Sequence, residues 1–529
     1  PDARPANHGW LDWLRRELAP SHERKVRTLI LICGAVLCVI ISTVLQVPEL
    51  GLSAYMIFFI SKENKRVTTI VGVLGMIGVT IGIAVSLLLY KLTYGHPEWR
   101  IPSMAIFLFL GMFLSRVLVL GPLVFLLGFV IAVTQSIGEL VPSPERLVRT
   151  ILWIWVAIAY GVVLTVVLNR LFLPKPAGPP KPLPKGLFVP DAFTNPAHVR
   201  FALKVTLAAM FCYFFYTGVD WFGIHTAFIT CIFIALETTG ATLYKGILRA
   251  LGCIIGGLLA LFSILVLIPH METLASLVIL VACVSAIAGW VATGTERIAY
   301  AGLQIAFAFF YSLFPGFQPY APDIDLTNVR DRVFGILFGL IVMTLVFQYI
   351  WPERAMDRLR EILREALGQL ARLLVIPSPG TSVNVARPKA EALIAEISRE
   401  LEKARRQAEL TSFEPDEPRP RESVSSALLE TILSRAEHVL TLATSLNSDS
   451  GWQEWHRLPP EAQAAESELR NAVARQFKRA ANGDGATDAG TNLPIAFARW
   501  EETVQRMSLA GSRITRVSQI AAEAQHLGG

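Results

Sequence analysis

The apolar part of this 529-residue chain places unusual residues within a lipid-like stretch between Val219 and Gly257, VDWFGIHTAFITCIFIALETTGATLYKGILRALGCIIGG. Asp220, His225 and Glu237 are ionisable groups around a single apolar run. If that run lies in lipid, their presence is costly and asks for a reason. Proton carriage is the chemistry open to them, since a histidine with its ordinary pKa of about 6.5 changes charge near neutrality. Plainer readings stand beside it: Asp220 and Glu237 as interfacial caps, His225 as a neutral ring bonded to a neighbouring helix. Lys245, Arg249 and, further on, Arg297 offer permanent charge to a carboxylate, although basic residues flanking apolar segments also follow from membrane topology alone. Trp221, Phe222 and Phe228 offer faces on which an aromatic molecule stacks, with Trp221 equally at home in an interfacial aromatic belt. Gln304 completes the set of substrate-binding candidates.

Other chemistries find no support. No GxxxxGK[ST] phosphate loop occurs, which removes ATP hydrolysis by this chain as an energy source. The nine histidines form no HExxH or other ligand cluster, so neither a metal nor another cofactor is expected. Cys33, Cys38, Cys212, Cys231, Cys253 and Cys283 all fall within apolar segments without CxxC spacing and read as small core residues. An enzyme is not expected. The net charge of +6 would suit nucleic acid, but much of the Lys and Arg excess flanks apolar runs, so no nucleic-acid partner is expected either.

The elements that must hold these residues are legible in composition: 53% of residues are hydrophobic and 17% charged, which points to an all-α integral membrane protein. Arg15, Arg16, Arg24, Lys25 and Arg27 precede the first apolar run and put residues 1–27 on the cytoplasmic side. Spans are expected at 28–46, 50–61, 67–92, 101–115, 117–135 and 151–173, with 50–61 short for a bilayer that takes about 20 helical residues and the fourth and fifth hinged at Arg116. Pro174 to Gly186, PKPAGPPKPLPKG, cannot be helix because proline removes donors and clashes with the preceding turn, so 175–200 reads as a stiff cytoplasmic linker. The plan then repeats at 201–217, 222–236, 246–268, 274–293, 298–314 and 333–350. Residues match as well as hydropathy: Val47-x-x-x-Gly51 with Val219-x-x-x-Gly223, Gly72 with Gly252, Arg116-x-x-x-x-Gly121 with Arg297-x-x-x-x-Gly302, and Pro174 with Pro352. Two six-helix membrane repeats, 28–174 and 201–352, are therefore expected. An even number of spans in each points both the same way, about an axis along the membrane normal. Asp220-Trp221 and His225 stand where the first copy has Pro48-Glu49 and Ser53. Past Pro352 the chain turns amphipathic, with Met356, Leu359, Leu363, Leu367, Leu370 and Leu374 spaced three and four apart. Further stripes at 389–409, 424–445, 460–481 and 494–526 make 353–529 a cytoplasmic helical domain.

DAFTNPAHVRFALKVTLAAMFCYFFYTGVDWFGIHTAFITC, GATLYKGILRALGCIIGG, TGTERIAYAGLQ and RDRVFGILFG before WPERA resemble the fusaric acid resistance/aromatic acid exporter superfamily. Within it, the likeness is to the multidrug-resistance branch typified by the inner-membrane component of an enterobacterial three-part pump, over residues 22–360. The resemblance implies multi-pass residence in the bacterial inner membrane and efflux of aromatic acids or small aromatic drugs. It also implies a periplasmic membrane-fusion adaptor and an outer-membrane channel as partners. A proton-driven exporter with both termini cytoplasmic is the leading expectation, and a homo-oligomer is compatible with it. The alternative is a passive organic-anion channel, because the aluminium-activated malate transporters of plants are distantly similar, share the six-span plan and conduct anions. Members of the superfamily usually carry a sizeable soluble segment between their membrane halves, where this chain has only the proline-rich linker.

Overall fold

Several helices begin at a residue whose side-chain oxygen accepts an N–H group that the first turn leaves unpaired. Ser21 takes the Arg24 N–H at 3.2 Å, Asn64 that of Arg66 at 2.8 Å, and Asp325 that of Thr327 at 2.8 Å. The computed structural model describes residues 10–141, 143–174, 186–314, 322, 324–376, 383–414, 426–482, 492–507 and 512–526. Among the described residues the regular structure is helical, and one isolated antiparallel bridge joins Leu118 to Phe188. The chain divides into two units, Pro1–Glu237 with Thr242–Pro352, and Thr238–Ala241 with Glu353–Gly529.

The first unit opens with α1 (Trp10–Glu17), α2 (His22–Leu45), α3 (Leu50–Ile60), α4 (Lys65–Thr93), α5 (Pro97–Val117), α6 (Gly121–Ser136) and α7 (Pro144–Phe172). It continues with α8 (Ala197–Gly218), α9 (Thr226–Ile234), α10 (Thr239–Phe262), α11 (Leu274–Ala292), α12 (Glu296–Leu313) and α13 (Leu326–Tyr349). Among the described residues eight helices are long and apolar enough to cross a membrane: α2, α4, α5, α7, α8, α10 with its continuation to His270, α11 and α13. Leu50–Ile60, Val124–Ser136 and Phe222–Ile234 are shorter apolar helices. Exposed apolar side chains run down outer faces at helical spacing, as in Leu203, Leu207, Phe211 and Phe214 of α8. In water such a stripe would be a liability, whereas a bilayer covers it.

Residues 175–185 of the expected linker lie outside the described residues. The hinge expected at Arg116 falls just after it: Arg116 is still within α5, and the break lies at 118–120. There the Val119 N–H donates to Leu187 O at 3.0 Å and the Val189 N–H to Val117 O at 2.9 Å. Leu118-Val119-Leu120 continues the apolar run, so hydropathy gave no warning of the break.

Glycines set the closest approaches. A methyl group on Gly252 or Gly256 of α10 would strike the carbonyls of Ala301 and Ile305 on α12, and one on Gly72 of α4 would strike Val162 and Val166 of α7. The two short helices α3 and α9 each follow a left-handed residue, Glu49 at φ 61° and Asp220 at φ 55°; α9 is reached through a 3-10 turn, Phe222–His225. Each packs on glycines of a longer helix, α3 on Gly161 of α7 and α9 on Gly335 and Gly339 of α13. At their far ends Phe59 and Phe233 meet edge to face with centroids 6.2 Å apart. The halves interleave elsewhere too, α3 against α12, α5 against α8 and α2 against α11. Cys212 of α8 and Cys231 of α9 are buried with their sulfurs 3.6 Å apart.

The second unit contains α14 (Ala355–Leu374), α15 (Val383–Thr411), α16 (Ser426–Leu446), α17 (Asp449–Arg457), α18 (Pro460–Asn482), α19 (Asn492–Arg506) and α20 (Ser512–His526). Leu359, Leu363, Leu367, Leu370 and Leu374 of α14 enter one core with Leu401, Phe477 and Trp500. The stripe at 494–526, expected as one run, is two helices. Gly511 falls between them in the sequence, and a glycine costs a helix interior about 1 kcal/mol. Glu466, fully buried, accepts from Arg513 Nε and Nη2 at 2.9 and 2.7 Å, and Arg470 Nη1 lies 3.5 Å away. One carboxylate thus faces two buried guanidiniums. Burial pulls Arg470 down to about 10, which leaves it charged at neutral pH.

Candidate functional site

Arg297, Tyr300, Gln304, Phe307 and Tyr311 are spaced by three and four residues and so share one face of α12, over about 21 Å. Arg297 heads the face with its side chain half-exposed and Nη1 3.7 Å from Glu17 Oε1, while Tyr244 OH donates to the Arg297 carbonyl at 2.8 Å. Lys245 Nζ stands 5.1 Å over the Tyr300 ring. Arg249, about three turns into α10, is 2% exposed. Its Nη1 donates to Gln304 Oε1 at 2.8 Å and to Tyr300 OH at 3.3 Å, and its Nε to Thr230 Oγ1 at 3.1 Å. The same guanidinium lies 5.8 Å from the Phe233 ring and 5.7 Å from that of Phe307.

From α13, Arg332 reaches the same ring, 5.2 Å from Phe307 and 4.8 Å from Tyr311. Two buried guanidiniums therefore share one phenyl ring, and among the described residues neither is ion-paired with an acid. Arg249 Nη2, Arg332 Nε and Gln304 Nε2 are buried donors with no acceptor among those residues. A buried donor left unmatched costs about 1–3 kcal/mol, more when charged. Tyr55 of α3 sets its ring edge on Phe307 at 4.8 Å, so the first half of the unit contributes a wall.

Acidic and titratable groups lie toward the Tyr311 end. Glu49, in the turn before α3, is 5% exposed and its Oε1 has no partner among the described residues; Gly51, two residues on, packs against the carbonyls of Phe310 and Phe314, either side of Tyr311 in sequence. His225 is half-buried. Its Nδ1 lies 3.0 Å from Phe222 O, a carbonyl that can only accept, so Nδ1 carries the hydrogen and Nε2 keeps a lone pair. Its neighbours Ile224 and Thr226 pack on Gly335 of α13, about one helical turn from Arg332.

Of the residues singled out in the sequence, Arg249 and Gln304 bond each other, Arg297 shares Gln304's face of α12, and His225 lies in the turn that packs on Gly335, about one helical turn along α13 from Arg332. The others do not join this group. Phe228 is buried against Tyr213 at 6.4 Å, Phe222 meets Tyr216 at 6.2 Å and Trp221 meets Phe334 at 6.1 Å. Asp220 is exposed in its left-handed turn, and Glu237 is exposed 3.7 Å from Arg116 Nη1. Arg332, Phe307, Tyr311, Tyr55, Phe233 and Glu49 were not anticipated. The spacing of 300, 304, 307 and 311 was a usable signal. Arg332 was hidden in Arg330-Asp331-Arg332, which looks interfacial; Arg330 takes Asp331 at 2.8 Å and leaves Arg332 to turn inward. A second buried ion pair, Arg100 with Glu139, which also accepts from Tyr213 OH at 2.6 Å, ties α5 to α8 away from this face.

Comparison with known proteins supplies relatives for this frame. The family model of the aluminium-activated malate transporters matches residues 192–418. Multidrug resistance protein MdtO of Shigella flexneri is 37% identical over 203 residues, 38% of this chain and 30% of its own length. MdtO of Escherichia coli strain K12 is 36% identical over 203 residues, 38% of this chain and 29% of its own length. The chain thus spans about three tenths of the length of the curated relatives it matches. The resemblance read in the sequence holds: this chain is similar to multidrug resistance protein MdtO and carries a region that matches the aluminium-activated malate transporter model.

Proposed function

We propose that the chain is the membrane component of an efflux transporter that moves small aromatic carboxylates, and related aromatic drugs, out across the bacterial inner membrane. One observation carries this reading: among the described residues, two buried guanidiniums without acid partners and the Gln304 amide present three unmatched donors around Phe307, among aromatic rings. A carboxylate would satisfy those donors, since guanidinium groups recognise it in planar, bidentate fashion. Tyr55, Phe233 and Tyr311 would stack its aromatic body. Lys245 and Arg297 form the approach from the cytoplasmic end. Helices α2 to α13 all cross, in two parallel repeats with both termini cytoplasmic. Export is driven by protons taken up at His225 Nε2, with Asp220 at the outer end and Glu237 at the inner end of the relay. A periplasmic adaptor and an outer-membrane channel complete the pump, as the resemblance implies.

Inverted membrane vesicles test this. Uphill uptake of an aromatic carboxylate that collapses with a protonophore is the expected result; flux that follows only the anion's own gradient would overturn it. That second outcome is the passive channel, a reading favoured by the malate-transporter match over residues 192–418.

A further inference from the structure

We infer that the groove between the start of α4 and the end of α7 binds the headgroup of an anionic phospholipid. A cavity of about 490 Å³ there is lined by Lys65, Arg66, Thr69, Ile70 and Arg170. Three of these five residues are cationic and none is acidic. Two of the cations are anchored: Lys65 Nζ donates to Leu173 O at 3.1 Å and Arg170 Nε to Thr69 Oγ1 at 3.3 Å, which ties α4 to α7 and holds the charges on either side of the opening. Among the described residues none of the three is in an ion pair; Glu63, close by in sequence, is instead paired with Arg27 at 3.2 Å. The site lacks an anion of its own.

What kind of anion follows from the surface that runs away from the groove. Ile70, Val73 and Ile77 of α4 and Val163, Val167 and Leu171 of α7 are all exposed, in stripes that lead from the charged end along the helices. A free phosphate has no use for such a stripe, whereas an acyl chain covers it. Cations at one end and apolar side chains down the length match an amphiphile with a negative headgroup, and each interfacial cation strengthens its binding about fivefold. None of these residues belongs to the α12 face, so the inference stands apart from the transport reading.

The test uses the full chain purified in non-ionic detergent and titrated with phosphatidylglycerol or phosphatidylcholine under native mass spectrometry. Phosphatidylglycerol should be retained and phosphatidylcholine lost, with inorganic phosphate unable to displace the bound lipid. Arg66→Gln with Arg170→Gln should weaken retention roughly 30-fold. Arg66→Gln alone, which changes an exposed side chain and disturbs no anchor, should weaken it about fivefold. Arg146→Gln, at the opposite end of α7, should change nothing. Equal retention by the double variant, equal retention of phosphatidylcholine, or full displacement by inorganic phosphate would each overturn the inference.

Discussion

Arg249 and Arg332 put two positive charges against one phenyl ring, and among the described residues the neutral acceptors Thr230, Tyr300 and Gln304 take hydrogen bonds from Arg249 alone. If the unmatched donors bind a carboxylate, Arg249→Gln should lower uptake of an aromatic carboxylate into inverted vesicles by roughly 10- to 100-fold, the worth of a charge-assisted hydrogen bond. Uptake of a neutral aromatic should be little changed; equal losses for both would make Arg249 a packing residue. His225 carries the second prediction at this scale. Its Nδ1 is committed to Phe222 O, so Gln in its place keeps a hydrogen bond and loses the site that takes a proton. His225→Gln should therefore leave substrate binding measurable by fluorescence quenching and abolish uphill transport, whereas normal uphill transport would show that the ring only satisfies a hydrogen bond. The sequence pointed to Arg249, Gln304 and His225 because charge in an apolar run stands out. It did not point to Phe307, Tyr311 or Tyr55, because an aromatic residue in a lipid-like segment looks like any other core residue until another helix turns a guanidinium onto it.

Among the elements, the close hairpins depend on glycine. Gly302 packs so tightly on the backbone of α11 that even a single added carbon would collide with Ala292 and Ala288, and neither can yield as a flexible side chain would. Gly302→Val should cost at least about 1–3 kcal/mol and lower the detergent melting temperature, while Gly75→Val, whose nearest neighbour is the end of Leu126, should be tolerated. A Gly302→Val protein that melts with the wild type would show the hairpin to be looser than drawn. Hydropathy made the long helices legible in advance. Interruptions were harder to see. The break at 118–120 lies within Leu-Val-Leu, and the one between α19 and α20 lies within an unbroken amphipathic stripe, since periodicity reports which face is buried and not whether the backbone stays continuous.

Taken as a whole, the molecule joins a unit that shows apolar side chains outward to one that buries them, and each can be disturbed by itself. Glu466→Gln leaves Arg470 and Arg513 buried without a counter-charge, a change that typically costs about 3–5 kcal/mol. Hydrogen exchange should rise through α18 and α20 and stay unchanged in α2 to α13, and Arg470→Met added to the variant should restore part of the protection. No loss of protection would mean that the Arg470 and Arg513 charges are met by other means. The proximity of Cys212 and Cys231 has a different consequence. The two thiols are close enough that a permeant oxidant such as diamide, which takes up their two hydrogens as it is reduced, would stitch the short helix α9 to α8 without any engineered residue. The protein thus carries its own reporter of motion. If α9 must slide past α8 in each cycle, oxidation arrests turnover and dithiothreitol restarts it; if the two move as one body, the oxidised protein works at its former rate.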